Sequence, residues 1–122
     1  MTKAHGTEDA GNLFADLPAT PLGEERFDAL LTQPGLRLER IVSTGQASPP
    51  GFWYDQVDAE WVVLLAGGAS LRFADEATPR ELVLGDWLYI APRRRHRVER
   101  TSVEPPAVWL ALHLGITPSR QG

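Results

Sequence analysis

The chain has 122 residues and a mass of 13.4 kDa, which is the length of one folded domain. Its composition, 43% hydrophobic and 23% charged, excludes a wholly disordered chain and a collagen-like one. The absence of cysteine excludes disulfides, thiolate ligands and thiol nucleophiles and fits a reducing compartment, while a net charge of −4 argues against nucleic-acid and anionic-membrane partners.

Residues 1–20 are predicted to form a disordered or extended leader, because they lack apolar periodicity and mix glycine, threonine and charged residues. They also lack the continuous apolar region of a signal peptide. The longest apolar run in the chain, residues 61–66, is far shorter than the roughly 20 residues of a membrane-spanning helix. These features predict a cytoplasmic protein without a membrane partner.

A short helix is predicted over residues 21–32. Thr20 and Pro21 resemble an N-cap followed by proline at the first helical position. Phe27, Leu30 and Leu31 then follow at the i, i+3 and i+4 spacing of one helix face. Pro34 and Gly35 should end the helix.

From residue 36 onward the chain consists of short stretches separated by glycine or proline, the pattern of an antiparallel all-β domain. Eight short strands in this space favour a sandwich or a jelly-roll barrel. The predicted domain spans residues 21–114, and residues 115–122 are predicted to be a C-terminal tail. The predicted strands are 36–42, 51–56, 60–66, 69–73, 80–84, 87–91, 96–101 and 107–114.

Two polar stretches could carry chemistry. One places Asp55 at a strand end with Glu60 opening the next strand, and the other brings His96 out of a proline turn. Of the three histidines, His5 lies in the predicted leader, so only His96 and His113 are available. A single-chain site with three histidines is therefore excluded. The serines lack the G-x-S-x-G context and no phosphate-binding glycine loop is present, which excludes common hydrolase and kinase sites.

The second stretch and the glycines around it resemble the two motifs of the cupin superfamily. Glu60, followed by six residues and Gly67, matches the second half of motif 1. Gly85, Pro92 and His96 match motif 2, although arginine stands where glycine is usual and the proline lies one residue closer to the histidine. The stretch 45–113, about 70 of the 122 residues, resembles small bacterial single-domain cupins, many without an assigned function.

The resemblance implies a double-stranded β-helix, an all-β cupin jelly roll, whose inward motif residues converge on a metal. Trp53 and Asp55 occupy the positions of the two motif-1 histidines. Asp55, Glu60 and His96 are then the metal-ligand candidates, with a divalent Fe, Mn, Zn or Ni as the ion. The alternative is a cupin without metal in which Asp55 and His96 form a buried polar pair. His96 and Glu60 are also the candidate catalytic residues.

Other residues have weaker roles in this interpretation. His113 is a fourth possible ligand, although a core or interface histidine is the alternative. Trp53 is a candidate for lining the substrate pocket. Tyr54 and Gln56 are further candidates, although in a regular strand their side chains would lie on the face opposite Asp55. The arginine run is a candidate for binding a carboxylate or phosphate, and the alternative is a solvated turn with surface ion pairs. The run comprises Arg93, Arg94 and Arg95.

The strand with Glu60 is apolar on both faces, because Trp61, Val63 and Leu65 alternate with Val62 and Leu64. A single barrel buries only one of these faces, which predicts a homodimer through the other. Two functional hypotheses remain open. One is a cupin that binds a divalent metal and a small anionic or oxygenated molecule, with metal-dependent activity; the other is a metal-free ligand-binding or sensor protein.

Overall fold

The computed structural model describes residues 9–115, which form eight antiparallel strands in two sheets and no helix. The all-β prediction is thus confirmed. No helix in this part of the chain is long and apolar enough to cross a membrane. The strands are β1 Arg26–Gln33, β2 Leu36–Ser43, β3 Ala59–Ala66, β4 Ala69–Phe73, β5 Arg80–Leu82, β6 Trp87–Ile90, β7 His96–Thr101 and β8 Ala107–Leu114.

The larger sheet has five strands in the order β1-β2-β8-β3-β6, and the smaller has three in the order β5-β4-β7. Their inner faces meet in a core whose most deeply buried large side chains include Leu64 and Phe73. On β3 the side chains of Glu60, Val62 and Leu64 alternate inward. This alternation puts a carboxyl group on the same face as the apolar core.

The predicted helix over 21–32 is wrong, because Arg26–Gln33 is strand β1 and pairs with β2 from Arg26↔Val42 to Gln33↔Leu36. A bulge between Ala29 and Leu31 shifts the register of this hairpin. Phe27 consequently lies opposite Ile41 on the inner face, whereas Leu31 lies opposite Leu38 on the outer face. The helix-like spacing of the apolar residues therefore comes from a bulged strand that turns Phe27 to one face and Leu31 to the other, where both stay exposed.

The predicted strand over 51–56 is also wrong. In this segment only Tyr54 forms a bridge, in which its backbone N–H donates to His96 O at 2.7 Å and its carbonyl accepts from His96 N at 3.1 Å. Pro49, Pro50 and Gly51 precede it and prevent a longer ladder. The other seven predicted strands correspond to β2 through β8.

Gly67 forms the tight turn between β3 and β4 with φ of +77°. A Cβ atom there would lie 2.5 Å from both Pro106 O and Ser102 Oγ. Glycine is required at this position for its conformation and for its lack of a side chain. The motif glycine predicted from the sequence thus fixes where β3 ends.

The Leu82 end of β5 and the loop that follows return the chain to the large sheet, and leave the apolar side chains of Val83 and Leu84 exposed. Gly85 then donates its N–H to Leu64 O at 2.7 Å, and Leu64 N donates to Asp86 O at 3.0 Å. These bonds dock the start of β6 against β3. Strand β3 thereby lies between β6 and β8 in the large sheet.

Candidate functional site

A cavity of about 270 Å³ opens between the two sheets. Apolar side chains from at least six strands form most of its wall, and titratable side chains cluster on the rest. The apolar wall includes Ile41, Val62, Leu71, Ile90, Val98 and Trp109, and the polar lining comprises Glu25, Arg37, Glu39, Tyr54, Gln56, Glu60, His96 and His113. Buried polar groups in an apolar cavity mark it as the candidate binding site.

His96 begins β7 and is 5% exposed. Its Nδ1 lies 3.0 Å from Arg94 O, and because a carbonyl only accepts, Nδ1 carries the ring proton. In the neutral ring Nε2 is then an unprotonated acceptor, 3.8 Å from Glu60 Oε1. The Tyr54 ring stacks on the imidazole with a centroid distance of 5.3 Å. The backbone of β7 therefore aims Nε2 at Glu60 and the cavity.

Glu60 is 9% exposed and lies opposite His113 in the β3–β8 ladder. Burial raises the pKa of its carboxyl group, and the nearby His113 and His96 only partly offset this effect. Within residues 9–115 the carboxylate receives no hydrogen bond from the protein, and its nearest ionisable nitrogen is His96 Nε2. Glu60 is thus a buried acid that faces the cavity without a strong partner.

A second histidine–carboxylate pair lies on the same wall. His113 Nε2 is 2.9 Å from Glu39 Oε2, and Arg37 Nε is 3.7 Å from the other oxygen of Glu39. The hydrogen bond from His113 holds the pKa of the Glu39 carboxyl group below its usual range, against the opposing effect of burial. Glu39 is therefore ionised and satisfied, in contrast to Glu60.

Tyr54 lines the cavity together with Glu25 and Glu60. Burial raises the pKa of this phenol, and the negative charges of Glu25 and Glu60 raise it further. The hydroxyl therefore stays protonated and can donate or accept a hydrogen bond. Together with His96 Nε2 and Glu60 it forms a set that can bind a polar group or transfer a proton.

The structure brings together only part of the predicted site. Glu60, His96, His113, Tyr54 and Gln56 all line the cavity. The remaining predicted site residues lie outside it: Asp55, Trp53, Arg93, Arg94 and Arg95.

The outward residues pair with one another instead. Asp55 forms a surface ion pair with Arg93, whose Nε lies 3.0 Å from Asp55 Oδ1. The Arg94 guanidinium binds Asp75 at 2.9 Å and covers the Phe73 ring at 3.6 Å. Arg95 lies 5.5 Å above the Trp53 ring. This part of the arginine run is a surface turn with ion pairs and ring contacts.

The predicted ligand set does not fit a metal ion as the side chains are arranged. No group of three or more histidine and acidic side chains within residues 9–115 has the spacing of a metal site. Asp55 points away from the cavity, and His113 Nε2 is occupied by Glu39. The donor types around Glu60 would suit a divalent ion, but the donors do not converge.

Sequence reasoning missed Glu25, Arg37 and Glu39. The alternation of β2 is regular, but Arg37 and Glu39 point inward while Leu36 and Leu38 point outward, the reverse of the usual pattern. The one signal in the sequence is that β3 and β8 are apolar on both faces, which indicates that the outer face of this sheet is apolar as well. Glu25 was assigned to a helix and so could not be placed at the cavity.

Comparison with known structures gives similar folds. A crystal structure from Ralstonia eutropha JMP134, named "putative mannose-6-phosphate isomerase", is 46% identical, with 88% of this chain and 99% of that chain covered at a TM-score of 0.85. A cupin superfamily protein from Desulfitobacterium hafniense DCB-2 is 16% identical over 88% and 93% of the chains, with a TM-score of 0.70.

The structure of iron(II) HppE is 13% identical over 75% of this chain and 50% of that chain, with a TM-score of 0.62. This similarity, like that to the Desulfitobacterium hafniense protein, shows the fold alone. The sequence matches no protein-family model. It also matches no curated protein.

Proposed function

The chain belongs to the cupin superfamily, and from this premise we propose that its cavity binds a small molecule through Glu60, His96 and Tyr54 without requiring a metal ion. The observation that carries this proposal is the buried Glu60 carboxyl group, which faces the cavity with no hydrogen-bond donor from residues 9–115. A ligand that supplies a donor there would remove this unfavourable burial.

The apolar wall supports the same proposal. Val62 and Ile90 of the large sheet and Leu71 of the small sheet line the cavity, and Trp109 lines it with only 4% exposure. A cavity of about 270 Å³ with this lining suits a molecule of a few carbon atoms carrying a polar end group. Glu60 and His96 would fix the polar end while the wall takes the carbon skeleton.

A metal-dependent version is the second candidate. Glu60, His96 and His113 line the same cavity and offer one oxygen and two nitrogens, a donor set used for Fe, Mn, Zn or Ni. For the three side chains to bind one ion, His113 must break its 2.9 Å hydrogen bond to Glu39. An ion bound there would act as a Lewis acid or an oxygen-activating centre.

A thermal-shift screen of small metabolites tests the proposal. The screen is run twice, on protein treated with EDTA and on protein supplied with Fe²⁺, Mn²⁺, Zn²⁺ or Ni²⁺. We expect the same molecules to raise the melting temperature in both series, because binding stabilises the folded state. Hits that appear only with one of the metals would favour the metal-dependent candidate, and no hit in either series would contradict both.

We also propose that the protein is a homodimer formed through the outer face of the large sheet. We call this face the outer patch; it consists of Trp61, Val63, Trp87, Tyr89, Leu110 and Leu112, which lie on one face by strand register. Trp87 and Tyr89 are 59% and 52% exposed, and Trp61 stacks on Trp87 at 5.8 Å. Such a contiguous exposed apolar patch marks an interaction site.

A second copy of the chain is the partner that the outer patch fits best. The outward positions of β3, β6 and β8 carry no charge, so a two-fold axis would place the patch on itself without like-charge repulsion. Six side chains of this size offer several hundred Å², on the order of the roughly 800 Å² that each partner of a stable interface buries.

The variant Trp87→Glu is expected to be monomeric, because two copies of the new charge would be buried at the two-fold axis without partners. Size exclusion with light scattering at high micromolar concentration should give twice the 13.4 kDa chain mass for the wild type and a single chain mass for the variant. Val57→Glu, on an equally exposed apolar residue outside the outer patch, should stay dimeric. A monomeric wild type would refute the dimer.

A further inference from the structure

We propose that the molecule bound in this cavity is an amine, held through its ammonium group by the carboxylates of Glu60 and Glu25. This inference rests on the binding function proposed above and adds the charge of the ligand. It follows from the charges that line the cavity and from which of them already have partners. Both carboxylates line the cavity.

The cavity contains more negative than positive charge. Its lining has three carboxyl groups, those of Glu25, Glu39 and Glu60, against the single guanidinium of Arg37. Arg37 and His113 both lie against Glu39, at 3.7 and 2.9 Å. Within residues 9–115, neither Glu25 nor Glu60 has an arginine within ion-pair distance. Two carboxylates are thus left without a cation.

The arginines near the cavity are committed elsewhere. Arg93 binds Asp55, Arg94 binds Asp75 and Glu76, and Arg100 binds Glu81. Arg97 binds Glu99 and donates to three backbone carbonyls of the loop before Tyr54. None of these guanidiniums lines the cavity. Among residues 9–115, an anionic ligand, which the arginine run suggested, would therefore meet three carboxylates and only one guanidinium, that of Arg37 beside Glu39.

Glu25 is held in place for such a contact. Ser43 Oγ donates a hydrogen bond to Glu25 Oε2 at 2.6 Å and accepts one from Trp109 Nε1 at 3.3 Å. Ser43 is fully buried, so this chain of hydrogen bonds fixes the carboxylate against the cavity wall. A neutral hydroxyl donor leaves the charge of Glu25 uncompensated.

A primary ammonium group matches the acceptors that face the cavity. It has three N–H donors and no acceptor. Glu60 and Glu25 offer carboxylate oxygens, and in the neutral form of His96, whose Nδ1 donates to Arg94 O, Nε2 is a further acceptor. Tyr54 lines the cavity together with both carboxylates, whose charges raise the pKa of its phenol. The Tyr54 ring adds a surface that attracts a cation.

Three probes of the same shape test the charge of the ligand: benzylamine, benzyl alcohol and benzoate. Their common ring suits the apolar wall, and only the end group differs. Binding is measured at neutral pH in EDTA by calorimetry, with imidazole NMR shifts of His96 and His113 to locate it. We expect benzylamine to bind at least about tenfold more tightly than the other two, a ratio that corresponds to a single good ionic contact.

The variant Glu60→Gln should weaken benzylamine by about tenfold or more and benzyl alcohol much less, because only the amine loses an ionic contact. Glu81→Gln is the matched control, because it removes the same charge from an exposed position outside the cavity and should not change either affinity. Equal losses in the two variants would show a general charge effect and overturn the inference.

Equal or tighter binding of benzyl alcohol or benzoate, with the same imidazole shifts, would overturn the amine inference and leave the binding function intact. Failure of all three probes to shift the imidazoles would also overturn it, and the binding function would then be decided by the metabolite screen. Benzylamine binding that requires Zn²⁺ would assign the carboxylates to a metal and overturn the inference as well.

Discussion

The variant His113→Ala is expected to lose about 3 kcal/mol of unfolding free energy at neutral pH, the cost of leaving a buried charge without its partner. His113 Nε2 donates to Glu39 Oε2 at 2.9 Å, and Glu39 is only 8% exposed. Without the imidazole, the ionised carboxylate keeps only Arg37 at 3.7 Å. Urea denaturation followed by tryptophan fluorescence measures the loss.

The effect of His113→Ala should depend on pH in one direction. The pKa of Glu39 is lower in the folded protein than its ordinary 4.5, chiefly through the hydrogen bond from His113, so this contact stabilises the fold fully above pH 4.5. This stabilisation is lost as the pH falls through the lower folded pKa. The difference between wild type and His113→Ala should therefore be largest at neutral pH and shrink below pH 4.5.

His113→Gln is the matched control for this pair. Its side-chain amide can still donate to Glu39, so we expect it to retain part of the stability that alanine loses. If His113→Gln and His113→Ala were equally stable at every pH, the hydrogen bond to Glu39 would not be the source of the effect. The loss would then come from packing alone.

The second large effect has the opposite sign: Glu60→Gln should be more stable than the wild type at neutral pH, by about 1–2 kcal/mol. Burial raises the pKa of Glu60 above its ordinary 4.5 in the folded protein. Ionisation therefore destabilises the fold as the pH rises through 4.5, and the full cost is reached above the folded pKa. Glutamine has a similar shape and no charge to bury.

This gain should vanish below pH 4.5, where Glu60 is protonated in both the folded and the unfolded chain. Glu39→Gln is the control, since the same exchange at a satisfied carboxylate should lower stability. Urea denaturation of both variants at neutral and acidic pH compares them directly. A less stable Glu60→Gln at neutral pH would mean that Glu60 has a partner in the folded protein. A gain together with lost ligand binding is the usual exchange of stability for function at a binding site.

Most of the fold could be predicted from the sequence, because glycine and proline separate β2 through β8 and each strand is short. The failure at β1 has a physical cause. A bulge between Ala29 and Leu31 breaks the two-residue alternation and produces a helix-like spacing, and the pairing with β2 that decides the matter cannot be seen in the local sequence. The prediction for segment 51–56 failed for a related reason, since its apolar residues look like a strand in the sequence although only Tyr54 forms a bridge.

The site could be predicted only where a motif fixed the position. Glu60 and His96 follow from the motif spacing, and both line the cavity. Asp55 was placed by counting back along a strand that does not form, so the count carried no information on where its side chain points. Glu39 and Arg37 were missed because the outer patch of the large sheet is apolar, which makes the outward leucines of β2 look like core residues.

Glu60, a buried acid that receives no hydrogen bond from residues 9–115, should have a raised pKa. A pH titration of the Glu60 carboxyl carbon by NMR, on labelled protein in EDTA and with Glu60→Gln to assign the signal, measures it directly. We predict that the pKa of Glu60 lies above its ordinary 4.5, because burial outweighs the attraction of His113 and His96. A pKa of Glu60 at or below 4.5 would contradict the account, since it would show that the carboxylate already has a cationic or hydrogen-bonding partner.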